Sequence, residues 1–241
     1  MTPHETAKAT KSLVSDLPAN FMLDGATYAR GAELGYDGLD FYAAGRGGTL
    51  GPVDADVIAA AFVFFSPAKV RDHWERALTV GDPRVAGTAF ADCAHAWARA
   101  HLDDTTDHAR LAELLERVVT AASPAGAPLF AAWRALPVPA DAKARVIHFA
   151  NALRELRGAL HGAAVLTHGV PTGVAVQTKS PHMAALFGWD EPIEGAAAHV
   201  DAWAAADAAT DVALAPAFDV LTADEQRELA ELGARAVAGA N

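Results

Sequence analysis

The stretch AKARVIHFANALRELRGALHGAAVLT, Ala142 to Thr167, decides the fold. It reads as one long helix that starts from Asp141. Gly169 stops it and Pro171 prevents its continuation. Apolar residues occupy more than one side, so the helix is expected to be central and buried, not a surface helix with one apolar stripe. Its charges then need explaining. Arg154, Arg157, His161 and His168 fall along one stripe, while Glu155 lies about 200° from Arg157 at about 100° per residue. Unpaired buried charges are costly, so a buried helix charged on two sides must pair them. One reading is a structural ion-pair network. The other is a polar patch lining a cavity between helices, where His161 serves as acid, base or axial metal ligand.

Outward from this helix, the whole chain reads as helical. Alanine, the best helix former, dominates the composition, and β-branched runs are scarce. Ser66-Pro67 and Asp82-Pro83 each start a helix with a cap and a proline in the first turn. Leu111, Leu114, Leu115 and Val118 recur at helical spacing. SPAGAP, from Ser123, is the clearest interruption. It divides the chain into an N-terminal helical part, 1–122, and a C-terminal helical part, 123–241, which can pack as one domain.

The 241 residues are 52% hydrophobic and 20% charged, enough to build a sizeable core. The net charge of −11 is uneven. From Asp190 onward eleven acids face only Arg227 and Arg235, which is −9, leaving about −2 for the rest. Phosphate neutralisation supplies most non-specific DNA affinity, so this segment argues against a duplex as partner. The acids read as solvated helix faces. Cys93 is the only cysteine and reads as a packed thiol. One cysteine, no apolar leader segment and no long apolar run predict a cytoplasmic protein without a membrane partner.

GRGGTLGPVDADVIAAAFVFFSP, Gly45 to Pro67, poses a separate question. Glycines before a helix can cradle a phosphate. Here no β-branched strand precedes them, no Gly-Lys-Ser/Thr follows, and Asp54 and Asp56 would repel an anion. A close-packed turn tethered by Arg46 is the better reading. The chain has no Gly-x-Ser-x-Gly elbow, and its ten histidines include no pair at i, i+4. His161 and His168 stand about 10 Å apart along the axis, too far for one ion. No metal site is therefore assigned and no cofactor is implied, though a haem on a single histidine is compatible with the sequence.

FYAAGRGGTLGPVDADVIAAAFVFFSPAKV and LRELRGALHGAAVLTHGVPTG together resemble an actinobacterial protein family of the helix-turn-helix class. Arg46, Leu50, Gly51, Pro52, Val57, Ala61, Phe62, Phe65 and Pro67 match its first motif. Leu153, Arg154, Glu155, Arg157, Gly158 and His161 match its second, and Ala209 to Asp211 resemble a third. The chain departs from the second motif at Leu156, Ala159 and Leu160, where the family has His, Asp and Gly. It also runs into helix where the family has a small wing. The resemblance implies an all-α multi-helix bundle whose C-terminal part is related to a winged helix that has lost its wing. It also suggests that Arg46 meets Glu155. Arg46, Glu155, Arg157 and His161 are the candidate ligand-binding residues, expected around one interior polar site. The first functional reading is a small-molecule-binding helical protein, a regulator descended from a helix-turn-helix ancestor. The alternatives are a DNA-binding transcriptional regulator and an enzyme acting on a small organic substrate in an interior polar cavity.

Overall fold

A computed structural model describes residues 1–240, and among them every regular element is helical. The first half contains α1 (Pro3–Ala9), α2 (Lys11–Leu23), α3 (Gly25–Glu33), α4 (Gly38–Gly47), α5 (Ala55–Phe62), α6 (Pro67–Val80), α7 (Pro83–His101) and α8 (His108–Ala121). The second contains α9 (Pro128–Arg134), α10 (Ala142–Thr167), α11 (Thr172–Lys179), α12 (Val200–Leu214) and α13 (Ala223–Ala238). The chain is an all-α multi-helix bundle, and among the described residues no helix is long and apolar enough to cross a membrane.

The hub is α10, which packs against α2, α7, α8, α9 and α12. Asp141 caps it by accepting a hydrogen bond from the Ala144 N–H at 3.0 Å. Val146, Ile147, Ala150, Ala152 and Leu153 are fully enclosed, which accounts for the lack of a single apolar stripe in the sequence. Burying each large side chain of this kind contributes about 1.5–3 kcal/mol. One apolar core takes side chains from Ala7 to Ala236, hence from both halves of the chain. A smaller cluster around Val165, Val170, Val174 and Ala206 forms where the end of α10 meets α11 and α12.

The cap at Asp82 forms, accepting from the Arg84 N–H, and Asp107 caps α8 in the same way by accepting from the Arg110 N–H. Ser66 differs: its side chain makes no cap bond, and its N–H donates to the Phe187 carbonyl at 2.8 Å. Pro67 still opens α6. No strand stands where a wing would be; Gly188 to Gly195 form turns and irregular chain leading into a short 3₁₀ turn, Ala196–His199, and then α12.

Gly45–Gly51 is not a turn throughout. Gly45, Arg46 and Gly47 form the last turn of α4, and Gly48–Leu50 continue as a 3₁₀ turn. Glycine is a poor helix former, but here tertiary contact decides. A Cβ on Gly45 would lie 2.5 Å from Phe90, and one on Gly48 would lie 2.0 Å from the Pro83 carbonyl oxygen. The backbones of α4 and α7 approach this closely only because no side chain intervenes. Gly51 holds φ +81°, where glycine alone is unstrained. Gly48→Ala is expected to destabilise the fold by well over about 1 kcal/mol, because Pro83 offers backbone and cannot move aside. Gly51→Ala should cost less and Gly47→Ala least. Denaturant unfolding of the three variants checks the order, and three melts like the parent's would contradict it.

Candidate functional site

Arg46 and Glu155, 109 positions apart, meet in the interior. Arg46 Nε donates to Glu155 Oε1 at 2.9 Å and Nη2 donates to Oε2 at 2.8 Å. This two-pronged geometry is the strong form of a charge-assisted pair. Arg46 also donates to the Tyr42 hydroxyl at 3.3 Å and lies 4.5 Å over the Phe62 ring. Arg154 adds a third hydrogen bond to Oε1 at 3.1 Å. Glu155 is 2% exposed. Burial by itself raises its pKa, but Arg46 and then Arg154 outweigh that and hold the carboxyl below its usual range. Two guanidiniums and one carboxylate leave this group at +1.

Arg157 turns to α12. Its Nη2 lies 3.1 Å from Asp207 and 3.5 Å from Asp211. Lys11, at the start of α2, reaches the other oxygen of Asp207 at 2.6 Å. These two cations and two carboxylates cancel, and they tie α2 and α12 to α10. Asp211 is buried and Asp207 is half-buried between two cations, so neither acid is a free charge on a solvated helix face. The acidic α13 is also paired: Glu225 and Glu228 meet Arg110 and Arg117 of α8.

His161 stands at a third place, on the wall of a cavity. Its Nδ1 is 2.9 Å from Thr210 Oγ1. The Thr210 hydroxyl donates its own proton to the Ala206 carbonyl at 2.8 Å, so it can only accept from the imidazole. The proton therefore sits on Nδ1, and Nε2 keeps its lone pair with no protein partner. The ring is sandwiched by Phe64 at 5.3 Å and the edge of Trp203 at 6.3 Å. Burial, with the nearby Arg157, pushes its pKa down to about 4, so the imidazole is neutral at physiological pH.

The cavity encloses about 310 Å³ among α2, α3, α4, the α5–α6 link, α10, α11, the turn after α11 and α12. Met22, Leu23, Phe64, Phe65, Phe187 and Trp203 give it apolar walls. Its polar groups are few: Tyr28, Tyr42, Arg154, His161, Lys179 and Ser180. Tyr28 donates its proton to the Met22 carbonyl at 2.9 Å, and Lys179 lies 5.5 Å over the Trp203 ring. One wall is strained. Val63 holds φ +49° and ψ −59°, closed by a Phe64 N–H to Phe62 carbonyl bond of 2.5 Å. This is a γ-turn of the rare, strained hand, on a β-branched residue. The turn aims Phe64 and Phe65 at the cavity. Gly162 of α10 makes room for it, since a Cβ there would lie 2.8 Å from Val63.

A second, larger hollow of about 430 Å³ lies between α3 and α7, beside Cys93. Its charges are mixed, with Asp24 and Asp92 against Arg30. Burial raises the Cys93 pKa, which opposes thiolate formation and fits a packed thiol. The first cavity is the stronger candidate because aromatic walls, cations and an oriented imidazole converge there. No group of three or more metal-ligating side chains occurs among the described residues.

The structure thus divides the four candidate residues. Arg46 and Glu155 form the ion pair behind the cavity, Arg157 clamps α12, and only His161 is on the cavity wall. Arg154, from the same helical stripe, joins His161 there. Sequence reasoning missed Lys179 and the wall of Phe64, Phe65, Phe187 and Trp203, whose residues come from three separate segments.

Two comparisons with known proteins are negative: no curated protein and no solved structure matches. A third is positive. The model of a family described as a helix-turn-helix family matches residues 7–241, nearly the whole chain.

Proposed function

This chain belongs to the helix-turn-helix family, and on that premise we propose that it is a regulator that binds a small organic molecule in the cavity beside His161. The observation that carries this reading is the cavity itself. Its volume and its apolar lining with a few convergent polar groups match what small-molecule sites need. The strained γ-turn at Val63 supports it, because such strain persists where the surroundings hold it for a purpose. The acids of the C-terminal segment favour a small ligand over a DNA duplex as the partner.

The test uses N-phenyl-1-naphthylamine, a neutral dye that brightens in apolar surroundings. The folded protein is expected to take up about one dye per chain. Ala19, on the cavity wall and only partly buried, offers a way to fill the space. Ala19→Phe should abolish uptake while leaving the melting temperature close to the parent's. Dye uptake that is absent, or that persists unchanged in Ala19→Phe, overturns the reading.

A further inference from the structure

The charges around the cavity specify its ligand more narrowly. None of the side chains lining it is acidic. Arg154 and Lys179 both line it. Arg154 leans on Glu155, but that carboxylate is already gripped on both oxygens by Arg46, so the three together remain at +1. Lys179 lies over the face of Trp203, has no ion-pair partner among the described residues, and adds a second positive charge. His161 is neutral, and the Arg157–Asp207–Asp211–Lys11 group nearby sums to zero. A chain of net charge −11 thus surrounds an apolar hollow with two uncompensated cations. Such an arrangement raises the local concentration of small anions and repels small cations.

We propose that the ligand is an amphipathic organic acid, with its anionic group compensated by Arg154 and Lys179 and its apolar body among Met22, Leu23, Phe65 and Phe187. This deepens the binding reading above and rests on it. Tyr42 completes the polar set: its oxygen accepts from Arg46, which leaves its own proton to give. His161 offers the opposite, a lone pair at Nε2 that repels a carboxylate. The anionic group is thus compensated by the arginine and lysine and gains nothing from the imidazole.

The experiment displaces bound N-phenyl-1-naphthylamine with decanoate, decanol and decylamine, each below its aggregation threshold, and confirms decanoate binding by direct calorimetry. Decanoate is expected to displace the dye at an about tenfold lower concentration than decanol, as one charge-assisted hydrogen bond would provide. Decylamine should be the weakest. Lys179→Met, at an exposed position, should remove most of the advantage of the acid and leave decanol displacement unchanged. Arg154→Met should do the same where it folds. Equal displacement by decanoate and decanol overturns the proposal while the dye result keeps the cavity reading intact. So does a Lys179→Met variant with the full preference for the acid, or a parent protein that gives neither displacement nor heat with decanoate. Failure of the dye to bind at all, by contrast, removes the binding reading itself.

Discussion

Replacing Glu155 with glutamine is expected to lower the stability of the fold by about 3–5 kcal/mol. The two side chains have nearly the same shape, so the loss does not come from packing. It comes from Arg46, which is 9% exposed and would keep its charge with no counter-ion on Glu155's side. Arg46→Met should cost a similar amount, with Arg154 alone left to compensate the carboxylate. Replacing both partners by methionine should recover much of the loss, because an apolar pair of similar volume strands nothing. Denaturant unfolding of the two single variants and the double variant measures this directly. Single variants within about 1 kcal/mol of the parent would show the pair to be solvated in solution. Neither Arg46 nor Glu155 lines the cavity, so dye uptake per folded molecule should be unchanged in both. Loss of uptake with retained stability would move the pair from scaffold to binding site.

The elements legible in the sequence are those whose physics is local. Helix α10 is readable because its apolar residues surround it and its ends are marked by Asp141 and Gly169. The need for a cation at Glu155 follows from the burial of that helix, and the resemblance at Arg46 supplied the partner. What could not be read depends on how distant segments meet. Arg157 pairs with Asp207 and Asp211, and a one-dimensional charge count places those acids on a solvated face. Gly45 and Gly47 are poor helix formers that stand in helix because Phe90 of α7 takes the space beside the first, and Ile58 and Trp74 the space beside the second. The γ-turn at Val63 contradicts the backbone preference of valine, and no sequence rule anticipates it. The cavity is the least legible feature. Its wall is assembled from α2, α3, α4, the α5–α6 link, α10, α11, the turn after α11 and α12, each contributing one or a few residues, most of whose apolar character alone suggests ordinary core.

Mild acid should destabilise the protein well before its carboxylates are protonated. His148 is completely enclosed in α10, its Nδ1 3.3 Å from His95 Nε2 of α7. Burial, and secondarily the like-charged form of His95, pushes its pKa down to about 4 from an ordinary 6.5. His161 is lowered to about 4 by burial and then by Arg157 and Lys11, with Asp207 and Asp211 opposing. In both, the unfolded chain binds a proton at a higher pH than the folded chain does. The sign follows from linkage: stability rises with pH wherever the unfolded state holds more protons. The contribution of each histidine is therefore complete above about pH 6.5 and is lost as pH falls toward 4. Each histidine accounts for a slope of up to about 1.4 kcal/mol per pH unit, and roughly 3 kcal/mol across the window. His161 supplies the smaller share because it is only partly enclosed. Glu155 and Asp207, whose pKa values are also lowered, lose their contribution only at more acidic pH. Unfolding free energies measured from pH 7 to pH 4.5 should fall steeply, with an uptake of between one and two protons on unfolding. His148→Leu, which removes one titrating group from the core, should reduce that uptake by about one proton whatever its effect on absolute stability. A flat profile in the parent over this range would mean that neither imidazole is held neutral by the fold.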